Sequence, residues 1–316
     1  MREIAVTEHE AGQRLDRFLR KLLANVPLGA IFQKLRSGAI RVDGKKCKPD
    51  LRLLAGMRLE VRLPDADFAV APPAQVRAER QQAAPLDDRA RTPRVILPRI
   101  VLQDDDVLVV DKPAGLAVQP GSGQSKDLVQ WLQQQPFGVR SATFRPAPAH
   151  RLDRGTSGLV AMGLSPHGLR GLTAAFRDDQ VEKVYLAVVH GMPPQRGSID
   201  APLLERDGVG TREPKVIVDA AGKSACTDFE RIGLGPERAL LRLRLHTGRL
   251  HQIRAHLRHL GHPIVGDRRY GSSIAFADAV FLLHAAELVF PHPRSGERVR
   301  CEAPMPGAMQ RQVGSA

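Results

Sequence analysis

The stretch at residues 150–159, His-Arg-Leu-Asp-Arg-Gly-Thr-Ser-Gly-Leu, constrains the fold more than any other part of the chain. It sets one carboxylate, Asp153, among basic and small polar residues, directly before an alternating run at 159–164 that predicts a strand. A turn next to a strand end can hold a side chain rigidly at the floor of a cleft, so Asp153 is a candidate nucleophile or acid/base. The alternative is structural: Asp153 neutralises Arg151 or Arg154 and caps the turn, as many Asp–Arg pairs do.

Net charge narrows the choice of partner. The 316 residues suit two domains, and they carry a formal net charge of +13 with a sequence pI of about 10.4. Such an excess of positive charge argues for a polyanionic partner, and nucleic acid fits best. A membrane surface fits less well, because no polybasic run lies beside an apolar helix. A basic surface that only maintains solubility is the remaining alternative.

Cysteine usage and the termini indicate a cytoplasmic protein. Cys47, Cys226 and Cys301 lie far apart without a Cys-x-x-Cys motif, which fits a reducing compartment and gives no zinc signature. His251 and His256 are five residues apart and therefore do not share a helical face, so we expect no metal site. The N-terminus lacks the apolar run of a signal peptide, and no stretch approaches 18 apolar residues. We expect neither a secreted nor a membrane-spanning protein.

Residues 1–64 predict a small basic domain. Apolar residues at helical spacing predict an amphipathic helix at 14–23, and a second helix at 30–36 is closed by Gly38. The segment 39–42 runs into Asp43-Gly44, a strong hairpin-turn signal, and the alternating run 58–63 predicts a closing strand. Residues 12–64 resemble the S4 RNA-binding domain, which favours RNA over DNA as the partner.

The basic residues of this domain are the candidate RNA contacts. Residues 1–63 contain 14 Lys or Arg against 7 Asp or Glu, a net charge of +7. The alternative is a solvated basic face on an ordinary small domain. The candidate contacts are Arg14, Arg17, Lys21, Lys34, Arg36, Arg41, Lys45 and Lys46.

The rest of the chain predicts a linker, a larger domain and a tail. Residues 65–97 are rich in Pro, Ala and Arg with little apolar periodicity, which is typical of a linker. Residues 98–305 mix strands and helices without a regular strand–helix repeat, so the predicted class is α+β with a mixed, largely antiparallel sheet. Residues 306–316 form a C-terminal tail. Helices are predicted at 128–134 and 168–178, and strands at 107–110, 184–189, 226–232 and 239–246.

The segment Gly233–Pro236 lacks the third glycine of a dinucleotide-binding loop, which argues against a nucleotide cofactor.

Several motifs of the larger domain resemble those of the RluA family of pseudouridine synthases, and they occur in the same order along the chain. The resemblance runs through 98–305 and is carried by residues 111–118, 150–159, 183–191, 247–257, 261–271 and 283–285.

The resemblance implies both the reaction and its residues. These enzymes isomerise uridine within RNA, breaking the N1–C1′ glycosidic bond and rejoining the ring through C5, without cofactor or metal. Asp153 matches the essential aspartate, Tyr185 the active-site tyrosine and Arg254 the arginine that pairs with the aspartate. From the residues alone, a single tyrosine on a strand more often serves packing. Arg151 matches the arginine that enters the RNA stack, and Arg249 and His251 lie in a basic stretch expected to contact RNA.

Finer features resemble the RluC branch, whose members modify 23S ribosomal RNA. They are the S4-like domain, the Val26-Pro27 pair and the Gly-Ser-Gly-Gln-Ser run at 121–125, whereas Gln119 and Pro120 depart from the expected pattern. Target positions of the RluD type and a transfer RNA substrate are the alternatives. A non-catalytic RNA-binding assembly factor would not require the aspartate, and a methyltransferase would require a glycine-rich loop that the sequence lacks. Family members usually act as monomers, so we expect a monomer.

Overall fold

The computed structural model describes residues 1–23, 25–68, 97–120, 127–139, 141–207, 213–276 and 280–313. They fall into two units, drawn from Met1–Val95 with Val139–Arg145 and from Ile96–Gly138 with Pro146–Ala316. Most of the predicted linker, and the 121–125 run, lie outside the described residues. Within the described ranges, every helix is too short or too polar to cross a lipid bilayer.

The first unit contains two helices and a three-stranded antiparallel sheet. The predicted helices and strands of this unit are confirmed, with small shifts at their ends. The first strand has no counterpart in the sequence predictions. The elements are β1 (Arg2–Ala5), α1 (Leu15–Leu22), α2 (Leu28–Ser37), β2 (Ile40–Val42) and β3 (Arg58–Val61), and the strand order is β1-β3-β2.

Apolar spacing explains why α1 packs as it does. Leu15, Phe18, Leu19 and Leu22 are buried on one face, and each such burial stabilises the unit by roughly 2 kcal/mol. The helix α2 ends at Gly38, whose φ of 82° is the left-handed conformation that glycine adopts without strain. Beyond β2, Asp43 and Gly44 form the predicted tight turn with φ values of 49° and 74°.

The second unit is built around one large sheet. Its helices are α3 (Leu128–Gln133), α4 (Pro166–Arg177), α5 (Gln252–His259) and α6 (Gly307–Gln310). Its strands are β4 (Arg99–Gln103), β5 (Val107–Lys112), β6 (Ala147–Pro148), β7 (Ser157–Gly163), β8 (Glu182–His190), β9 (Arg196–Asp200), β10 (Leu203–Glu205), β11 (Val216–Val218), β12 (Cys226–Gly235), β13 (Arg238–Leu245), β14 (Leu283–Pro291) and β15 (Arg298–Glu302).

The topology of the sheet confirms the predicted α+β class. The main path is β4-β5-β7-β14-β8-β13-β12-β9, with β15 beside β14 and β6 beside β7, and β10 and β11 pair separately. Among these ladders only β7–β14 is parallel. Because β14 lies between β7 and β8, a late segment of the chain completes the centre of the sheet.

The close approach of β7 and β14 depends on a glycine. Gly158 has a φ of 108°, and a Cβ added there would lie 2.2 Å from the carbonyl oxygen of Ala285 on β14. No larger residue fits without moving one of the strands. The same Ala285 pairs with Tyr185 of β8, so the three strands meet at this point.

Two parts of the second unit differ in detail from the sequence predictions. The strands β4, β6, β9, β10, β11, β14 and β15 were not predicted, and all except the nine-residue β14 have five residues or fewer. In the segment predicted as a tail, α6 forms and Met309 and Val313 are buried against apolar residues such as Val188 and Leu240.

Candidate active site

Asp153 lies in the turn that leads into β7. Leu152 is buried and Thr156 is 2 % exposed, so the turn is anchored on both sides of the carboxylate. The backbone N–H of Thr156 donates to the carbonyl oxygen of Asp153 at 3.1 Å. Arg151 is exposed, and it makes no hydrogen bond or ion pair with the described part of the chain. The geometry presents the carboxylate from a fixed backbone, as the motif predicts.

A buried lysine holds this turn in place. Lys112, at the end of β5, is fully buried, and its ammonium donates to the carbonyl oxygens of Thr156, Leu116 and Pro113 at 2.5, 2.8 and 3.0 Å. Burial lowers the pKa of Lys112 to about 7, while the nearby charge of Asp153 acts in the opposite direction. One side chain therefore ties the loop after β5 to the turn that carries Asp153.

Arg254, in the first turn of α5, binds Asp153 directly. Its Nη1 donates to Oδ2 of Asp153 at 2.8 Å, and its Nε and Nη2 donate to the two carboxylate oxygens of Asp267 at 2.6 and 2.9 Å. The side chain of Arg254 is 8 % exposed and that of Asp267 is 2 % exposed, so the pair is buried. The predicted pairing of Arg254 with Asp153 is present, and Asp267 is a second carboxylate that the sequence analysis did not single out.

Two aromatic rings enclose the guanidinium of Arg254. Its Cζ lies 4.6 Å from the ring centre of Tyr270 and 4.5 Å from that of Phe281, within the range of cation–π contacts. Burial alone would lower the pKa of Arg254, but the hydrogen bonds and charges of Asp267 and Asp153 outweigh it and raise that pKa. A permanent, immobile positive charge therefore lies against Asp153.

His251, directly before α5, approaches the other oxygen of the carboxylate. Its Nε2 lies 3.7 Å from Oδ1 of Asp153, and its Nδ1 lies 2.9 Å from the hydroxyl of Tyr270. Burial lowers the pKa of His251 to about 4, so the ring is neutral near pH 7. Predicted as an RNA contact, this residue lies beside the carboxylate of Asp153.

Tyr185, on β8, completes the predicted trio. Its side chain is partly buried and packs against two clusters of buried apolar residues, one of which includes Leu152 and Ala285. Burial, and then the charge of Asp153, raise the pKa of Tyr185 well above its usual value, so the phenol stays protonated. The fold thus brings together Asp153, Tyr185 and Arg254, which lie up to 101 positions apart in sequence.

Arg249 and eight residues of the first unit are the remaining predicted RNA contacts. Arg249 is exposed and its Nε donates to the carbonyl oxygen of Ser224 at 3.0 Å. In the first unit a groove runs between α1, α2 and the segment after β2. Three of the eight predicted RNA contacts of that unit line this groove, namely Arg14, Arg36 and Lys46.

Several site residues escaped the sequence analysis. Lys112, Asp267 and Tyr270 fall in quoted motifs and Phe281 lies two residues before one, but no spacing rule indicates that they meet around Arg254 and Asp153. The fold also brings Cys226, Asp228 and His246 within 4.8 Å of one another, the one such group among the described residues. His246 is exposed, and its Nε2 lies 2.5 Å from Oδ2 of Asp228.

Comparison with known proteins places this site in a family. A family profile described as RNA pseudouridylate synthase matches residues 106–259, which include Asp153, Tyr185 and Arg254. The Ribosomal large subunit pseudouridine synthase C of Escherichia coli K12 is 37 % identical over 98 % of this chain and 94 % of that protein. Its counterpart from Vibrio cholerae is 32 % identical over 98 % of this chain and 95 % of that protein.

Solved structures agree with the sequence comparisons. Human RNA Pseudouridylate Synthase Domain Containing 1 superposes with a TM-score of 0.54 at 25 % identity, over 66 % of this chain and 83 % of that one. Human RNA Pseudouridylate Synthase Domain Containing 4 has the same TM-score, at 24 % identity over 68 % of this chain and 91 % of that one, and shares the fold. From its site, its sequence and its fold, the chain belongs to the RNA pseudouridylate synthase family, in the RluA group that its motifs resemble.

Proposed function

We propose that this protein isomerises specific uridines to pseudouridine in the 23S ribosomal RNA of the large subunit. The observation that carries the proposal is the contact of Asp153 with Arg254 at 2.8 Å, beside Tyr185, in a chain of this family. The names of its most similar relatives specify the large ribosomal subunit. The reaction breaks the N1–C1′ bond and forms a C5–C1′ bond. C5 loses a proton and N1 gains one, so no second substrate is consumed.

Charge decides what Asp153 contributes. A carboxylate that accepts a hydrogen bond from a buried guanidinium is held in its ionised form, which favours a nucleophile or a proton acceptor over a general acid. Attack at C1′, addition to the uracil ring and removal of the 2′ proton are the steps open to such a group. The protonated phenol of Tyr185 provides a face for stacking the uracil and a hydroxyl near the carboxylate.

Access to the uridine requires base flipping. A stacked base leaves the helix at a cost of a few kcal/mol, part of which a planar cation recovers by stacking in the vacated space. Arg151 suits this role because it is exposed, unpaired within the described residues and two positions from Asp153. We assign Arg249 to the RNA backbone at the same site.

We further propose that residues 1–64 form an S4-type RNA-binding domain joined by a linker at 65–97 to a catalytic domain at 98–305. The supporting feature is the groove of the first unit, in which Arg14, Arg36 and Lys46 lie with the half-buried Phe32. Asp16 and Asp50 also line the groove, and Arg14 pairs with Asp16. Arg36, Lys46 and Lys48 still leave the lining with an excess of positive charge, which suits a phosphate backbone with a stacked base. The enzyme acts in the cytoplasm, where ribosomal RNA is made, and as a monomer, which light scattering would test.

The test is to incubate the protein with unmodified 23S ribosomal RNA transcript and to map pseudouridine by chemical adduct formation and primer extension. Stops that appear with the unaltered protein and not with Asp153→Asn establish the activity, and their positions distinguish targets of the RluC and RluD types. Stops on transfer RNA alone keep the chemistry and replace the substrate. Tight binding without stops on either RNA leaves a non-catalytic RNA-binding protein and overturns the proposal.

A further inference from the structure

His251 is held in a backbone conformation that its residue type disfavours. Its φ is 51° and its ψ is 21°, in the left-handed region, immediately before α5. A side chain with a Cβ adopts this region at a cost of about 1 kcal/mol, and asparagine or glycine adopts it more readily. Such strain concentrates at functional sites, where the surrounding structure fixes it.

The hydroxyl of Tyr270 determines the tautomer of this imidazole. Tyr270 is fully buried, and its oxygen accepts the backbone N–H of Val216 at 3.1 Å and lies 2.9 Å from Nδ1 of His251. Nδ1 is the one acceptor within reach of the hydroxyl proton among the described residues. A buried hydroxyl without an acceptor is costly, so the O–H donates to Nδ1 and the ring proton resides on Nε2.

That proton points toward the reacting carboxylate. Nε2 of His251 lies 3.7 Å from Oδ1 of Asp153, while Arg254 occupies Oδ2 at 2.8 Å. The first distance is longer than a hydrogen bond, but catalytic contacts often shorten only when the substrate is bound. The two oxygens of Asp153 thus face two different donors, and both donors contact Tyr270: His251 through its hydroxyl and Arg254 through its ring.

We propose that His251 is a positioning residue for the reaction: as the neutral Nε2–H tautomer selected by Tyr270, it donates to Oδ1 of Asp153 and fixes the rotation of the carboxylate. The proposal rests on Asp153 being the reacting group. It separates His251 from the RNA contacts with which the sequence analysis grouped it.

Electrostatics support the neutral form of the ring. Burial lowers the pKa of His251 to about 4, and the positive charges of Arg254, Arg269 and Lys215 act in the same direction against the opposing charge of Asp153. Tyr270 stays protonated because burial raises its pKa. A neutral donor orients the carboxylate without adding a second full positive charge, which would lower its nucleophilicity.

The direct test is the tautomer itself. Protein labelled with ¹⁵N histidine gives one pair of ring signals per histidine, and His251→Gln identifies the pair that belongs to residue 251. We expect a protonated Nε2 and an unprotonated Nδ1 in the wild-type protein. In Tyr270→Phe the hydroxyl is lost while the ring remains against Arg254, and we expect a mixture of tautomers. A protonated Nδ1 in the wild type overturns the proposal, whatever the activity measurements show.

Kinetic variants separate positioning from backbone strain. Glutamine can place an amide N–H near the position of Nε2, whereas asparagine places one near Nδ1 but relaxes better in the left-handed conformation. We expect His251→Gln to retain the single-turnover rate within a few-fold, and His251→Asn and His251→Leu to lose on the order of 100-fold. Thermal stability should rank in the opposite order, with Asn above Gln. Equal rates for Asn and Gln overturn the proposal.

A double variant tests the coupling to Tyr270. Since glutamine has no tautomer to select, Tyr270→Phe should slow the wild-type enzyme about tenfold yet add little to His251→Gln. Additive losses in the two backgrounds would mean that Tyr270 acts independently of His251. The exposed His259→Gln on α5 is the matched control and should leave both the rate and the RNA affinity unchanged. An inactive wild-type protein would contradict the proposed function. The tautomer measurement would still decide the proposal about His251.

Discussion

Asp267 binds Arg254 through two hydrogen bonds, of 2.6 and 2.9 Å, and thereby leaves one edge of the guanidinium for Asp153. The carboxylate of Asp153 is thus oriented by a cation that a second, more deeply buried carboxylate orients in turn. Guanidinium groups suit this arrangement because their donors lie in a rigid plane, which a lysine does not offer.

Asp267→Asn should impair both stability and chemistry. The amide cannot accept two hydrogen bonds from Arg254 and leaves part of a buried charge uncompensated, so the free energy of unfolding should fall by about 3 kcal/mol. The single-turnover rate should fall on the order of 100-fold while RNA affinity stays within a few-fold. Denaturant titration and single-turnover assays measure the two effects. Asp228→Asn, at an exposed carboxylate, should lose no more than about 1 kcal/mol, and an equal loss there would argue against the buried pair.

Gly158→Ala should destabilise the centre of the sheet. The new methyl group would lie 2.2 Å from a backbone oxygen of β14, in a conformation with a φ of 108°, so we expect a loss of about 4 kcal/mol. Gly261→Ala is the matched control, because its φ is 85° but no atom lies within 4 Å of the added Cβ. It should lose about 1 kcal/mol. Similar losses in the two variants would show that backbone strain, and not the contact with β14, controls the effect.

His150 should contribute to acid sensitivity. Its Nε2 accepts the backbone N–H of Ala161 at 3.0 Å, its ring stacks on Phe176, and burial lowers its pKa to about 3 from an ordinary value of 6.5. Between these values the unfolded chain binds a proton that the folded protein does not. The stability from neutral His150 is therefore full above pH 6.5 and declines as the pH falls toward 3.

The variant His150→Gln keeps an acceptor for Ala161 but cannot titrate. Between pH 6 and 4 the free energy of unfolding should fall with decreasing pH in both proteins. The slope should be smaller in the variant than in the wild type, by about 1 kcal/mol per pH unit. Other buried histidines keep some acid sensitivity in the variant, among them His284. The exposed His259→Gln should retain the wild-type slope. Parallel slopes for all three proteins would show that protonation of His150 in the folded protein does not lower the free energy of unfolding.

Arg151 and Lys46 should affect different steps. Lys46→Ala removes a groove cation, so RNA affinity should fall, and the slope of log affinity against log salt should flatten by about 0.7 to 0.9. Arg151→Ala should instead slow single turnover about tenfold with a smaller change in that slope, because the role proposed for Arg151 is stacking. Filter binding across salt concentrations and single-turnover assays measure both. Arg177→Ala, at an exposed ion pair on α4, is the control, and a matching salt effect there would indicate non-specific charge.

The candidate site was predictable where function and local sequence coincide. Asp153, Tyr185 and Arg254 each lie inside a motif, and strands such as β5 and β7 show uninterrupted apolar runs. Asp267 and Tyr270 also lie in a quoted motif, yet their roles depend on which side chain faces Arg254 after the chain has folded back. The tautomer of His251 depends on a hydroxyl 19 positions away, which no periodicity reveals.

Weak local patterns explain the elements that were missed. The strands β10 and β11 have three residues each, and β9 has one buried residue in five, so neither an apolar run nor an alternation is visible. Their positions follow from partners elsewhere in the sheet. The proximity of Cys226 to His246 has the same origin, since both lie where β12 and β13 pair.

The late position of β14 has a consequence for synthesis on the ribosome. Until residues 283–291 leave the exit tunnel, β7 and β8 each present an unpaired edge, and the two halves of the sheet cannot join. Nascent chains of this length are therefore open to edge-to-edge association and depend on chaperones or rapid completion. The central sheet is complete only after residues 283–291 have been translated, so a chain that ends before them lacks the strand that joins β7 to β8.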